Sequence, residues 1–240
     1  MSLRNLFAAL CGVAVLAVGQ ANAATLVDED FSYADGSLVP NGGWANHSGT
    51  AGDLLVSSGQ AVVQHGTPSE DANIQFATQD SGILTATFDI TVEDSDDQLT
   101  GSDFEYFAHF FTQGSFNFRS RVDVVAPSGG GDYTLGISSS GSTADATLLV
   151  DFDFGDTVPV EITFDFATGT ASLTAGGSTI TGDPGATGQS LDAFGLRQSD
   201  SSNNETVIVD NLVITAIPEP TSLVLFALGA FGLVTSRKRG

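Results

Sequence analysis

The chain has 240 residues and a formal charge of −22, from seven basic and 29 acidic side chains. That balance excludes a nucleic-acid partner, which needs a basic footprint. The 41% apolar and 9% aromatic content excludes a wholly disordered chain, which lacks the apolar surface to offset chain entropy.

Residues 1–23 read as a secretory signal peptide with a short apolar helix. Arg4 supplies the positive start, Leu6 to Val18 the apolar stretch, and Ala21-Asn22-Ala23 an A-x-A site for signal peptidase. Cys11 lies inside the apolar stretch rather than after it, which argues against a lipoprotein anchor. It is the single cysteine, so cleavage before Ala24 leaves no disulfide and no thiolate zinc site.

Residues 24–217 read as one all-β domain. Their only basic residues are Arg119, Arg121 and Arg197, set against every acid of the chain except Glu219. Most of the acids are Asp, suited to turns and to hard cations. Early in this region Gly42-Gly43-Trp44-Ala45-Asn46-His47-Ser48-Gly49-Thr50 reads as a glycine-rich loop. Trp44 there can stack on a sugar ring while Asn46 and His47 hydrogen-bond its hydroxyls. It can also plug one end of the core, and that reading is favoured because a buried Trp fills a core well.

Strands are expected from period-two alternation. The clearest runs from Leu84 to Val92, with Leu84, Ala86, Phe88, Ile90 and Val92 facing inward. The run from Phe116 to Val124 alternates similarly and sets Arg119, Arg121 and Asp123 on its outer face. Further strands are expected over 54–64, 72–78, 104–112, 132–138, 147–154, 158–166, 170–175, 191–198 and 206–215. Within these, Val160 to Leu173 reads as a hairpin turning at Ala167-Thr168-Gly169. Many short strands with frequent turn signals predict a two-sheet antiparallel β-sandwich. His65 and His109 are scattered and form no zinc triad with His47.

Beyond Ile217 the chain reads Pro218-Glu219-Pro220, an apolar stretch from Ser222 to Val234, and Arg237-Lys238-Arg239. The apolar stretch is short for a transmembrane helix of about 20 residues, so tilt or a thin bilayer must make up the difference. The basic cluster stays cytoplasmic by the positive-inside rule, leaving the acidic domain across the inner membrane. The motif, the helix and the basic cluster over 218–240 resemble the PEP-CTERM sorting signal. That resemblance implies an exosortase as partner, cutting near the PEP motif, and delivery to the envelope or extracellular matrix. It also implies an organism that makes exopolysaccharide.

A second resemblance spans most of 24–217. Glu29-Asp30-Phe31-Ser32-Tyr33 with Gly42-Gly43-Trp44, the central Glu161-Ile162-Thr163-Phe164-Asp165, and the closing Val209-Asp210-Asn211-Leu212-Val213-Ile214 are similar to laminin-G-like, concanavalin A-like jelly rolls. It implies adjacent first and last strands, with a candidate calcium site of Asp28, Glu29 or Asp30 near Asp210. Calcium needs about six to eight oxygen ligands. The acidic run Glu93-Asp94-Ser95-Asp96-Asp97 is the alternative, although it lacks the spacing of an EF-hand loop.

Asp151, Asp153 and Asp156 have the spacing of the Glu-x-Asp-x-x-Glu motif of laminarinase-type glycosidases in this superfamily. Such chemistry sets an acid and a nucleophile about 5–5.5 Å apart for retention. Here both catalytic Glu positions are Asp, one methylene shorter, so hydrolysis is not expected and no catalytic residue is assigned. The chain is expected to be an exported, non-enzymatic envelope or matrix protein. A carbohydrate-binding module, with calcium and exopolysaccharide as candidate ligands, is the alternative.

Overall fold

The computed structural model describes residues 22–95, 98–115, 117–199 and 205–219. The expected signal helix, the expected membrane helix and the residues Pro220, Arg237, Lys238 and Arg239 lie outside the described residues. No helix among the described residues is long and apolar enough to cross a membrane.

Two antiparallel sheets form a sandwich over the compact unit Ala23–Pro218. With strands numbered along the chain, the larger sheet runs β14 (Ser178–Thr181), β13 (Thr170–Ala175), β12 (Thr157–Asp165), β7 (Ile83–Glu93), β16 (Thr206–Ile217), β5 (Gln60–Gln64), β4 (Leu55–Ser57), β2 (Gly36–Ser37). Its ninth strand, β1 (Ala24–Glu29), also pairs with β16. The smaller sheet has seven strands: β11 (Ala146–Thr147), β10 (Thr134–Ser138), β9 (Phe118–Val125), β8 (Phe104–Phe111), β15 (Leu191–Arg197), β6 (Glu70–Gln79) and β3 (Ala45–Gly49).

Alternation places the core. On β7 the side chains of Leu84, Ala86, Phe88, Ile90 and Val92 are all buried, as the period-two pattern requires. Phe88 meets Phe107 at 6.3 Å and Phe194 at 6.0 Å across the two sheets. The hairpin β12–β13 forms as expected, with Asp165 opposite Thr170. Gly169 closes it in the left-handed region at φ 68°, where an L residue is strained.

Two expected elements are rearranged. The stretch 54–64 is a hairpin, because Ser58 and Gly59 both take positive φ and reverse the chain between β4 and β5. The stretch 147–154 is mostly irregular beyond β11. Phe152 bridges only to Tyr133, and Phe152 and Phe154 pack on the Tyr133 ring at 5.5 and 5.8 Å.

The middle of the larger sheet is its last strand. β16 pairs with β7 along one edge. Its other edge is shared by β5, opposite Thr206 to Val209, and β1, opposite Leu212 to Ala216. A bulge between Asp210 and Val213, with Asn211 at φ 53°, separates the two partners. The first and last strands are therefore adjacent.

Candidate functional site

The junction of the terminal strands is built around one carboxylate. Glu29 accepts hydrogen bonds from the Phe31 amide at 2.7 Å, the Tyr33 hydroxyl at 2.8 Å and the Trp44 Nε1 at 3.0 Å. Buried carboxylates persist where donors surround them, and here both oxygens are engaged. These are the carboxylates expected at a calcium site. Both Glu29 oxygens accept hydrogen bonds, Asp30 accepts from the Ser32 amide, and Asp210 accepts from Gln60 and the Asn211 amide. Asp28 lies opposite Val213 on the shared ladder rather than opposite Asp210. Among the described residues no group of three or more His, Cys, Asp or Glu side chains could hold a metal ion. Asp96 and Asp97 of the alternative loop lie outside the described residues.

The same contacts bury Trp44, as the favoured core-plug reading expects. Its ring is 1% exposed, packs on Phe31 at 5.9 Å, and serves as a core plug. Its neighbours are strand residues, because the expected glycine-rich loop contains β3. Asn46 donates to Glu70 Oε1 and to the Ser48 carbonyl. His47 turns to the Phe111 ring at 4.8 Å. The Asp151 carboxylate is likewise used locally. It accepts from the Ser128 amide at 3.0 Å, and that donor holds its pKa below the ordinary value. The Asp156 amide donates to the Asp153 carbonyl within a turn.

The most concentrated chemistry lies on the outer face of the smaller sheet. Two register shifts in β8, between Tyr106 and Ala108 and between Ala108 and Phe110, break its alternation. Phe107 and Phe110 pack in the core, while Tyr106, His109 and Phe111 make ring contacts with one another and with Phe118. Bulges re-aim side chains in this way. The His109 ring covers Gly195 of β15, where an added Cβ would sit 3.0 Å from the imidazole.

Tyr106 is flanked by two guanidiniums from the neighbouring strands. Arg121 on β9 lies 3.7 Å and Arg197 on β15 lies 4.1 Å from the ring centroid, within cation–π range. Arg197 also approaches Asp71 on β6 at 4.0 Å. Arg121 donates to the Gly141 carbonyl at 2.5 Å, which fixes the 139–145 loop beside the face. Arg119 does not join this group. Ser120, at φ 49°, interrupts β9, and Arg119 reaches Gln189 Oε1 instead.

Asp123 lies directly across the ladder from Tyr106. It is 1% exposed, and neither carboxylate oxygen has a hydrogen-bond partner. Burial pushes its pKa up to about 7, with Glu105 and Asp145 adding to the rise and Arg121 and Arg197 opposing it. Asn73 Oδ1, Arg121 Nε and both nitrogens of His109 are also buried without partners. Burial holds His109 well below its usual pKa, with Arg121, His47 and Arg197 adding to the effect. His65 is separate. It accepts from the Ser199 amide through Nδ1 at 2.7 Å, and burial lowers its pKa to about 3.

Alternation in the sequence groups Arg119, Arg121 and Asp123 but does not bring Tyr106, His109 and Arg197 to them. A usable signal was present. All three basic residues of the middle region fall on β9 and β15 of one sheet.

The sandwich is similar in fold to the jelly rolls of solved lectins. It is similar to peanut lectin solved with a nine-residue peptide, at 13% identity, a TM-score of 0.51 and coverage of 82% of this chain and 98% of that one. Basic winged bean lectin with Tn-antigen matches at 12% identity and a TM-score of 0.51, covering 81% and 98%. A sialidase matches at 16% identity and a TM-score of 0.57, with 82% of this chain covering 19% of that much longer one. At these identities the likeness concerns the fold alone. No curated protein matches the sequence. Residues 216–239 match the PEP-CTERM protein-sorting motif. The chain thus carries an exosortase sorting signal that begins on the last residues of β16, which implies export and anchoring in the membrane before cleavage.

Proposed function

We propose that this chain is an exosortase substrate of the cell envelope or extracellular matrix, delivering a non-enzymatic β-sandwich. The observation that supports this reading is the sorting motif at 216–239, joined directly to the final strand. The Asp151, Asp153 and Asp156 set gives no support to hydrolysis, since the Asp151 carboxylate serves the Ser128 turn. The test is expression in a host that has an exosortase, comparing the natural chain with Glu219→Ala. The natural chain is expected to lose mass and leave the inner membrane, and the variant to stay there uncut. Identical processing of both would overturn the proposal.

A second reading, carbohydrate binding by the sandwich, is favoured by the outer face of the smaller sheet. Aromatic rings and two arginines lie on that face. Specific ligand sites combine apolar walls with a few placed polar groups in the same way. This surface, and not Trp44, carries the reading.

A further inference from the structure

We infer that Ala24 and Thr25, at the start of β1, form a latch over the beginning of the sorting signal and confine exosortase cutting to the chain beyond Ile217. The inference rests on the exosortase reading and adds what controls access to the cut.

The sorting signal and the sheet share residues. The matched motif covers 216–239, while β16 runs to Ile217. Ala216 is held from both sides, opposite Ala24 on β1 and Leu84 on β7. Its side chain is buried in the core. Ile217 lies opposite Ile83. Pro218 has no amide hydrogen to continue a ladder, and it lies with Glu219 exposed and outside any strand.

A peptide recognised in extended form is held through its main-chain hydrogen-bonding groups. In residues 215–217 the ladders occupy those groups. A cut near the PEP motif therefore finds its downstream side free and its upstream side inside the sheet. The upstream side is released only when the end of β16 frays. Where opening is fast relative to cleavage, the population of the opened form sets how fast a folded chain is cut.

Of the two strands flanking Ala216, β1 is the one that can give. β7 is fixed along its length between β12 and β16, whereas β1 pairs with β16 alone. A register shift between Thr25 and Val27 breaks the β1 ladder. It separates Ala24 and Thr25, both exposed, from Val27 and Glu29, both buried. The pair can thus lift from Ala216 and Thr215 while Glu29 keeps its bonds to Phe31, Tyr33 and Trp44. A two-residue latch beyond a bulge makes a local opening that leaves the core in place.

The test uses the full chain in a host that has an exosortase. Pulse-chase labelling reads the rate of processing, and mass spectrometry reads the new C-terminus. The natural product is expected to retain Ile217. Thr25→Pro, which removes an amide hydrogen and disfavours the pairing, should be cut about tenfold faster, the worth of one or two main-chain hydrogen bonds. Thr25→Val keeps the pairing and should be cut as the natural chain is. A further variant leaves β1 untouched, so it carries the test if Thr25→Pro does not fold. It inserts a linker of about six Gly and Ser residues after Ile217, followed by a second Ala-Ile pair before Pro218. The enzyme then meets the same local sequence outside the sheet, and cutting should again be about tenfold faster. Cutting of the linker variant at the natural rate would overturn the latch, as would a natural product that ends before Ile217. No cutting of the natural chain would remove the exosortase reading and this inference with it.

Discussion

Two buried carboxylates occupy opposite situations in this sandwich. Glu29, where the terminal strands meet, accepts from a backbone amide, a tyrosine hydroxyl and a tryptophan indole. Asp123, on the outer face of the smaller sheet, accepts from nothing. Desolvating a charge is costly in both places, but only Glu29 recovers that cost inside the folded chain. The first is a structural hub. The second leaves its hydrogen-bonding capacity unused, at a cost to the fold.

The sharpest way to break the contrast is to remove each group. Glu29→Ala should lower stability by about 4 kcal/mol, because it deletes charge-assisted bonds and leaves buried donors without an acceptor. Urea unfolding measures this, and a loss below about 1 kcal/mol would deny Glu29 its role as a hub.

Asp123→Asn should act in the opposite direction. Its folded pKa is raised to about 7 from 3.8, so between those values the native state holds the proton that the unfolded state has released. Stability from this group therefore falls as pH rises from about 4 to 7 and then levels off. The isosteric amide removes that fall. At pH 8 it should stabilise by about 2–4 kcal/mol, and near pH 3 it should change little. Thermal unfolding across this range reads the effect, and destabilisation at pH 8 would contradict it.

A smaller effect is expected at Gly195→Ala, about 1 kcal/mol of destabilisation. The new methyl presses on His109, which is held between Tyr106 and Phe118. No change in melting temperature would mean the imidazole can move aside. The smallest belongs to the outer face of the larger sheet, where Ser172 pairs with Thr181 and Thr174 with Thr179 by hydroxyl contacts. Ser172→Ala with Thr181→Ala should stay within about 0.5 kcal/mol of the natural chain in the same assay.

The core was legible in the sequence because burial on one face writes itself as period two. Leu84 to Val92, Val160 to Phe166 and Ala171 to Ala175 each carry that pattern without interruption. The pairing of first and last strands came from the resemblance, since alternation says nothing about which strands are neighbours. The outer-face group was hidden for a geometric reason. Tyr106, His109 and Phe111 are three and then two residues apart, and only the shifted register of β8 brings their rings together. Likewise Arg119 and Arg121 share a parity in sequence, but Ser120 at positive φ parts them. Trp44 was ambiguous because a glycine-rich flank suits a binding loop, whereas its true partner, Glu29, lies fifteen residues away.

The position of β16 has a consequence for the order of events. The strand that joins β7 to β1 and β5 is the last one made. A chain exported with its N-terminus leading reaches the far side with those three strands unjoined. The larger sheet can close only when residues 206–217 have crossed, and by then the sorting tail is next in the channel. The same twelve residues thus set the moment of folding and the moment at which the tail meets the membrane.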